Sequence, residues 1–460
     1  MSEDTSIIFS DDRRMKNNDR LYEFIENSTA SFNTVFLEEK FYVVIRKGAA
    51  EKGTSEDVRM MAGEIARILT QNKVDRATVE AGQLTEGFSA LSDESAVMAF
   101  VEGWKLGTYT FSKYKNEPTP PATQLTVNGN SVASAYESGL IRAKATSFTR
   151  DLMNELSNVL NPETYPSVLQ KEFADTDVEV RVYDQEKLEE MDMQGVLTVN
   201  RGSEYNASFV EMTYCNDASK PLVALVGKGV TFDTGGISLK SGRDISSMRM
   251  DMGGSAAVAG AMKLLAESNA NVNVVALIPM VENMPDSKAV LPGEIITYKN
   301  GHHVQVGNTD AEGRLILADA LIRSGELNAD YVVDIATLTG AIGNALGTKL
   351  AGVFGDEELS LEMKKIGDEN GDFNWPMPLV DAYDSYLNSD YADFSNMSSK
   401  GEAGSITAGL FLRRFVPTSC RWLHVDMASV MMGEEKGYYT KSASGFGARL
   451  LADYTNYVSK

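Results

Sequence analysis

The sequence has few of the residues that small folds use as covalent or metal staples. Its 460 residues include two cysteines, Cys215 and Cys420, and three histidines. The cysteines are far apart and have no Cys or His at ligand spacing. The fold is therefore not expected to rely on disulfides, which suits a reducing compartment. So few histidines also exclude a histidine-rich zinc site. Positive charge is scarce: 43 Lys and Arg face 65 Asp and Glu, a net charge of −22, with no basic run to offset it. Neither nucleic acid nor an anionic membrane is an expected partner of such a field. Long apolar runs are missing as well. The longest, residues 272–281, contains Asn273 and is too short to span a bilayer. No apolar segment follows the polar start Met1-Ser2-Glu3-Asp4-Thr5, so no secretory leader is expected and the chain is taken as cytoplasmic. There is no internal repeat and no low-complexity segment.

What is present exceeds one ordinary core, so two or more domains are expected. Residues 1–130 form an N-terminal α/β domain. Its strands are 34–37 and 41–45, around a charged turn Glu38-Glu39-Lys40, and its helical patterns are 54–70 and 94–110. The breaker Glu117-Pro118-Thr119-Pro120-Pro121 precedes one more strand, 124–127. No catalytic constellation appears there, and scaffold or oligomer contacts are the expected role. Residues 131–160 read as a connecting helix. Asn161-Pro162-Glu163 stops it, with the proline opening the next helix. In 161–460, strands at 178–182, 222–226, 272–278 and 331–335 alternate with helices at 185–191, 254–267 and 315–324. The fold class is α/β: two domains, each a mixed sheet flanked by helices. The larger C-terminal one has a largely parallel sheet with its site beyond the strands' carboxyl ends.

Three stretches carry chemistry. Gly307-Asn308-Thr309-Asp310-Ala311-Glu312-Gly313-Arg314-Leu315 sets two acids and an arginine at alternate positions between a strand, 304–306, and a helix. An extended junction there would aim both acids at one point. On that helix Asp319 and Arg323 make an i, i+4 pair on a second face. The second stretch, Val226 to Lys240, surrounds Lys228, Asp233 and Lys240 with Gly227, Gly229, Gly235 and Gly236. Lys228 is followed by glycine, so the stretch is not a Walker phosphate loop. The third, Met248 to Ala257, places Asp251 before a helix rich in small residues that can press closely on a sheet. Alone, Asp251 reads as a helix cap. Together, Asp233, Asp251, Asp310 and Glu312 converge on the ends of one sheet, where four carboxylates without cations would repel. Divalent metal, in two ions, resolves this. Lys228 and Lys240 are either salt-bridge partners, or one is an amine ligand to metal and the other a protonated group that polarises a carbonyl. His302-His303 reads as a surface turn, and His424, in a strand over 422–426, as structural.

These segments identify the sequence as resembling the leucyl aminopeptidases of the cytosol aminopeptidase family (M17). Asn308 to Leu315 matches that family's signature in full, and the other two stretches match its remaining metal-site segments in order and spacing. The resemblance covers residues from about 135 to the C-terminus. It implies a dimetal aminopeptidase that removes N-terminal residues, leucine-like ones preferred, from peptides by way of a metal-bridging hydroxide. Lys228, Asp233, Asp251, Asp310 and Glu312 would hold two divalent ions, with Asp233 and Glu312 shared. The ions would be zinc or manganese, with magnesium or cobalt able to replace one. Lys240 would polarise the scissile carbonyl, and Arg314 would hold a bicarbonate acting as general base. Met248, Thr337, Gly340, Ala428 and Met431 would line the pocket for the first side chain, with Asn308 and the backbone of Leu338 also contacting substrate. A homohexamer is implied.

Three positions depart from the family pattern. Residues 154–158 lack a usual proline, Gly445 to Arg449 is a loose version of a glycine-rich element, and Ser429 replaces a usual glycine. None is a ligand. A dimetal phosphoesterase or amidase would suit the acids but lacks a phosphate-binding cluster. A DNA-binding role conflicts with the net charge of −22. A dead scaffold conflicts with the presence of every matched ligand.

Overall fold

Two main sheets lie in separate compact units. The computed structural model describes residues 4–37, 39–117, 119–129, 132–242 and 244–460. Part of the polar start (1–3), Glu38 of the charged turn, Pro118 of the breaker and the expected domain border at 130 and 131 lie outside the described residues.

One unit comprises Met1–Ser147, Glu369–Gly371 and Gly433–Ser442. Its five-stranded sheet runs Phe32–Leu37, Lys40–Ile45, Thr5–Phe9, Arg76–Glu80, Gln124–Asn128, parallel except for the hairpin of the first two. The sequence patterns do not mark the central strand, Thr5–Phe9, because it is short and follows directly on the polar start. Helices Ser55–Gln71 and Asp93–Gly107 lie close to their expected bounds. Thr54 and Asp57 close a capping box on the first, and Ser92 caps the second.

The other unit comprises Phe148–Asp368, Asp372–Met432 and Ala443–Lys460. Among the described residues its main sheet has nine strands. The order is Asn374–Pro376, Ala351–Gly355, Arg421–Asp426, Tyr331–Ala336, Leu222–Gly227, Asn273–Asn283, Ser208–Cys215, Glu179–Tyr183. The ninth strand, Gly229–Asp233, pairs with the outer half of Asn273–Asn283. The four central strands are parallel. Antiparallel pairs flank them, so the sheet is mixed, with most of its pairs parallel as expected. Asn273–Asn283 is longer than its apolar run suggests because it serves two parallel partners in succession, Leu222–Gly227 up to Val226 and then Gly229–Asp233. Pro279 falls in the gap between them, where no ladder N–H is needed on that side. The carboxyl ends of the central strands deliver Lys228, Asn283, Thr337 and Ala428 to one end of the sheet.

The small-residue helix, Gly253–Glu267, does press on this sheet. A Cβ added at Gly254 would stand 2.0 Å from the Ile335 carbonyl oxygen and 2.8 Å from the Lys228 nitrogen. Four expectations need correction. The strand before the signature is His303–Gln305, in a separate three-stranded sheet with Ile295–Thr297 and Phe394–Ser395. The following helix, Gly313–Glu326, starts earlier than expected, so Arg314 is inside it. The helix expected over 131–160 is Ala133–Asn154, short of residue 160. Pro162 does not open the next helix; Pro166 sits in the first turn of Tyr165–Glu172. Among the described residues no helix is long and apolar enough to cross a membrane.

Asp319 and Arg323 do not pair. Gly313–Glu326 is buried around most of its circumference, so the supposed second face belongs to the core. Asp319 accepts the Val196 N–H at 2.8 Å, while Arg323 contacts Glu211 and Glu326 at 3.1 and 2.9 Å. Burial pushes the Asp319 carboxyl well above its ordinary value, against the opposing pull of the Val196 N–H. A carboxyl raised on folding stabilises the native state at low pH. That contribution is lost as pH climbs from the unfolded value of 3.8 through the folded one. Urea unfolding should therefore show a pH-dependent loss that Asp319→Asn lacks. Asp319→Ala, which leaves the Val196 N–H unsatisfied, should cost about 1–3 kcal/mol. Parallel pH profiles for wild type and the Asn variant would contradict this account.

Candidate active site

The convergence expected from sequence is present in the second unit. Lys228 follows its strand directly, and its backbone is held by the Ile335 carbonyl (3.1 Å) and the Ser255 N–H (2.9 Å). Its buried Nζ lies 2.7 Å from Asp251 Oδ2 and 2.9 Å from Glu312 Oε1, and it donates to the Thr337 carbonyl at 2.9 Å. Lys240 Nζ lies 2.7 Å from Asp233 Oδ2 and also contacts Asp310 Oδ1. The chain reaches Lys240 through Gly235 and Gly236, whose φ values of 90° and 64° favour glycine. One oxygen each from Asp233, Asp310 and Glu312 lie within 4.8 Å of one another. Asp251 joins them through Lys228, which touches both it and Glu312.

Asp251 does not cap the start of the helix that follows it. Met252 holds the N-cap position of the next helix and makes no side-chain capping bond. Asp251 Oδ1 instead accepts the Thr337 hydroxyl at 2.6 Å. Glu312 sits at the N-cap position of its own helix in αR conformation, so the signature is a tight turn rather than an extended junction. The Asn308 side chain accepts the Asp310 N–H at 2.8 Å and braces that turn. Asn308 does not line the cavity described below.

Two residues missed in the sequence organise the loops. Asn283, at the end of the long strand, donates to Asp233 Oδ1 (2.8 Å) and the Thr309 carbonyl (3.0 Å), tying the two acidic loops together. Asn396 donates to the carbonyls of Asn308 and Ala311 and accepts the Gly307 N–H. Its own carbonyl accepts Arg314 Nη1 at 2.8 Å. Both act as single side chains bonding to partners far along the chain, which leaves no spacing pattern to find. Arg314 is buried, stacks over Phe411 at 5.9 Å and has no hydrogen-bond partner for Nε.

The electrostatics show how costly this cluster is. Burial, reinforced by Glu312, raises the Asp233 carboxyl. Burial also raises Asp251 and Asp310 despite the nearby lysines. For Glu312 burial is outweighed by Lys228 and Lys240, which hold it below its ordinary value. Burial opposes charge on Lys228, yet Asp251, Glu312 and Asp233 together hold its ammonium above the usual value. Burial lowers the Arg314 guanidinium to about 10. Asp251 Oδ2 and Glu312 Oε2 are buried without a hydrogen-bond partner, although Lys228 Nζ is close to the former. Four carboxylates sharing two ammonium groups, with oxygen atoms left over, fit a hard divalent cation.

The cluster opens on a cavity of about 260 Å³ lined also by Met248, Thr337, Leu338, Gly340, Ala428 and Met431. A larger cleft, about 760 Å³, lies at the start of strand Arg421–Asp426 and contains none of these residues. Ser429 turns away from the cavity to donate to the Leu350 carbonyl at 3.0 Å. Arg449 of the loose glycine-rich element pairs with Asp372 at 2.8 Å. His424 is buried against Asp334 at 2.5 Å, and His303 is exposed in its strand.

Comparison with known proteins finds matches over most of the chain. The profile of the cytosol aminopeptidase family, catalytic domain, matches residues 147–452, and that of the family's N-terminal domain matches residues 26–118. A probable cytosol aminopeptidase of Persephonella marina is 36% identical over 425 residues, 90% of this chain and 84% of the relative. One from Rickettsia felis is 37% identical over 429 residues, 91% and 85%. Among solved structures, the bottromycin maturation enzyme BotP superimposes with a TM-score of 0.90 at 29% identity, covering 99% of each chain. Its complex with Mn gives 0.90 at 28%, covering all of both.

Proposed function

From the premise that this chain belongs to the cytosol aminopeptidase family and is a metallo-aminopeptidase, we propose that it removes N-terminal residues, leucine-like ones preferred, from peptides at a two-metal centre. The observation that carries this is the largely buried acidic cluster, with oxygens within 4.8 Å, lining one small cavity together with Met248, Gly340, Ala428 and Met431. Asp233, Asp251, Asp310 and Glu312 would hold the ions, and Lys228 would join them as an amine once divalent charge displaces its proton. Zinc or manganese suits this donor set, and a solved relative is a complex with Mn. When bound, the pair of ions supplies Lewis-acid polarisation and a hydroxide-strength nucleophile near neutral pH.

The chain's own groups do the rest. Lys240 keeps its proton and stabilises negative charge on the scissile carbonyl oxygen as it develops. Arg314, a planar fork with an unpartnered Nε, would seat bicarbonate as the general base. The Leu338 backbone orients the peptide. Asn308, assigned to substrate by resemblance, would act through the turn it braces. Met248, Met431, Ala428, Gly340 and Thr337 receive the first side chain, with modest selectivity because a methylene is worth about 1–3 kcal/mol. A homohexamer in the cytoplasm completes the proposal and rests on the family resemblance alone.

Binding through the free α-amino group is the distinguishing property. Leucine p-nitroanilide should be hydrolysed, and N-acetyl-leucine p-nitroanilide should not. Comparable rates on the two would rule out an aminopeptidase.

A further inference from the structure

The cavity has two walls, residues 337–340 after strand Tyr331–Ala336 and residues 428–431 after strand Arg421–Asp426. One fully buried carboxylate joins them. Asp426 ends its strand opposite Ala336. Its Oδ1 accepts the N–H groups of Leu338 (3.2 Å) and Thr339 (3.3 Å) on one wall and of Ala428 (3.3 Å) on the other. Its Oδ2 accepts the Thr339 hydroxyl at 2.6 Å. That hydroxyl also accepts the Ile342 N–H, so the same clamp fixes the start of helix Gly340–Leu346.

The second wall is held at further points. Ser429 is anchored to the Leu350 carbonyl (3.0 Å), the Val430 carbonyl accepts the Ser444 hydroxyl (2.7 Å), and the Met431 carbonyl accepts the Ser444 N–H (3.0 Å). The first wall is tied to the acidic cluster by Thr337, through Lys228 and Asp251. Each wall thus has its own anchors, and Asp426 is the side chain that bonds to both.

We infer that Asp426 is a positioning residue that sets the width of the pocket for the substrate's first side chain. The inference rests on the aminopeptidase function proposed above. Asp426 is no ligand and lines no part of the cavity. Its effect passes through backbone N–H groups that lie beyond the strand-end bond from the Met427 N–H to the Ala336 carbonyl (2.8 Å). Hydrogen bonds to a buried charge are among the stronger ones, and losing them loosens both walls without touching the cluster.

The test measures kcat and KM on leucyl and alanyl p-nitroanilides, together with metal content, for wild type, Asp426→Ala, Asp426→Asn and Thr339→Val. Asp426→Ala should raise KM for the leucyl substrate about tenfold. It should shrink the leucyl-to-alanyl preference and keep wild-type metal content. Asp426→Asn should recover most of the preference, because its amide oxygen can still accept the three N–H groups. Thr339→Val, which removes the hydroxyl's bonds to Asp426, Ile342 and Ser405 but keeps the side chain's size where it lines the cavity, should fall between them, and it carries the test if Asp426→Ala does not fold. Unchanged KM and preference in these variants, or metal lost in step with rate, overturns the inference. A wild type that cleaves no aminoacyl substrate removes the aminopeptidase function itself, and the clamp with it.

Discussion

Glu312→Ala should strip the protein of metal and lower kcat/KM on leucine p-nitroanilide by on the order of 10³–10⁵. Glu312 belongs to the group of three acids whose oxygens lie within 4.8 Å, and it also touches Lys228, which links to Asp251. It is the side chain through which both halves of the cluster meet, so its loss affects both ions. Its Oε2 is already buried without a hydrogen-bond partner, an arrangement that makes sense only if something else completes it. Mass-spectrometric metal analysis of the purified variant, beside the rate, reads the outcome. Full metal occupancy in Glu312→Ala would place the ions elsewhere.

Lys240→Ala should behave differently. Its ammonium is assigned to the carbonyl oxygen, so kcat should fall by about 10²–10³, as for removal of an oxyanion donor. Metal content should stay near wild type and KM should move little. Lys240 also contacts Asp233 and Asp310, so the metal measurement decides between a catalytic and a purely charge-balancing lysine. Loss of metal in parallel with rate would assign it to charge balance.

Much of this site was legible in the sequence because its residues come in short segments. Lys228, Asp233 and Lys240 lie within one glycine-rich stretch, and Asp310, Glu312 and Arg314 within one helix start, so local spacing carries the chemistry. Gly254 illustrates the same point for the fold: a helix with small residues at its start could only be there to approach the sheet closely, and it stands where any Cβ would meet the Ile335 carbonyl at 2.0 Å.

What was not legible depends on long-range partners. Asn283, Asn396 and Asp426 each act by bonding to backbone far along the chain, and nothing local distinguishes them from other polar residues. Asp319 was misread for the opposite reason. Its spacing to Arg323 suits a surface pair, but tertiary packing covers that side of the helix and gives the carboxylate to the Val196 N–H. The tight turn at Asp310 to Glu312 reads in sequence as an extended junction because alternation of acids is common to both. The strand His303–Gln305 was assigned to the wrong sheet because three residues carry no information about their partners.

The most direct test of the two-metal centre is a titration of the chelator-stripped wild-type protein with Mn²⁺ or Zn²⁺, following bound metal and leucine p-nitroanilide hydrolysis together. The proposed two-metal centre predicts an inactive stripped protein, binding that saturates at two ions per chain, and activity that returns as the ions bind. Undiminished hydrolysis by metal-free protein would contradict it.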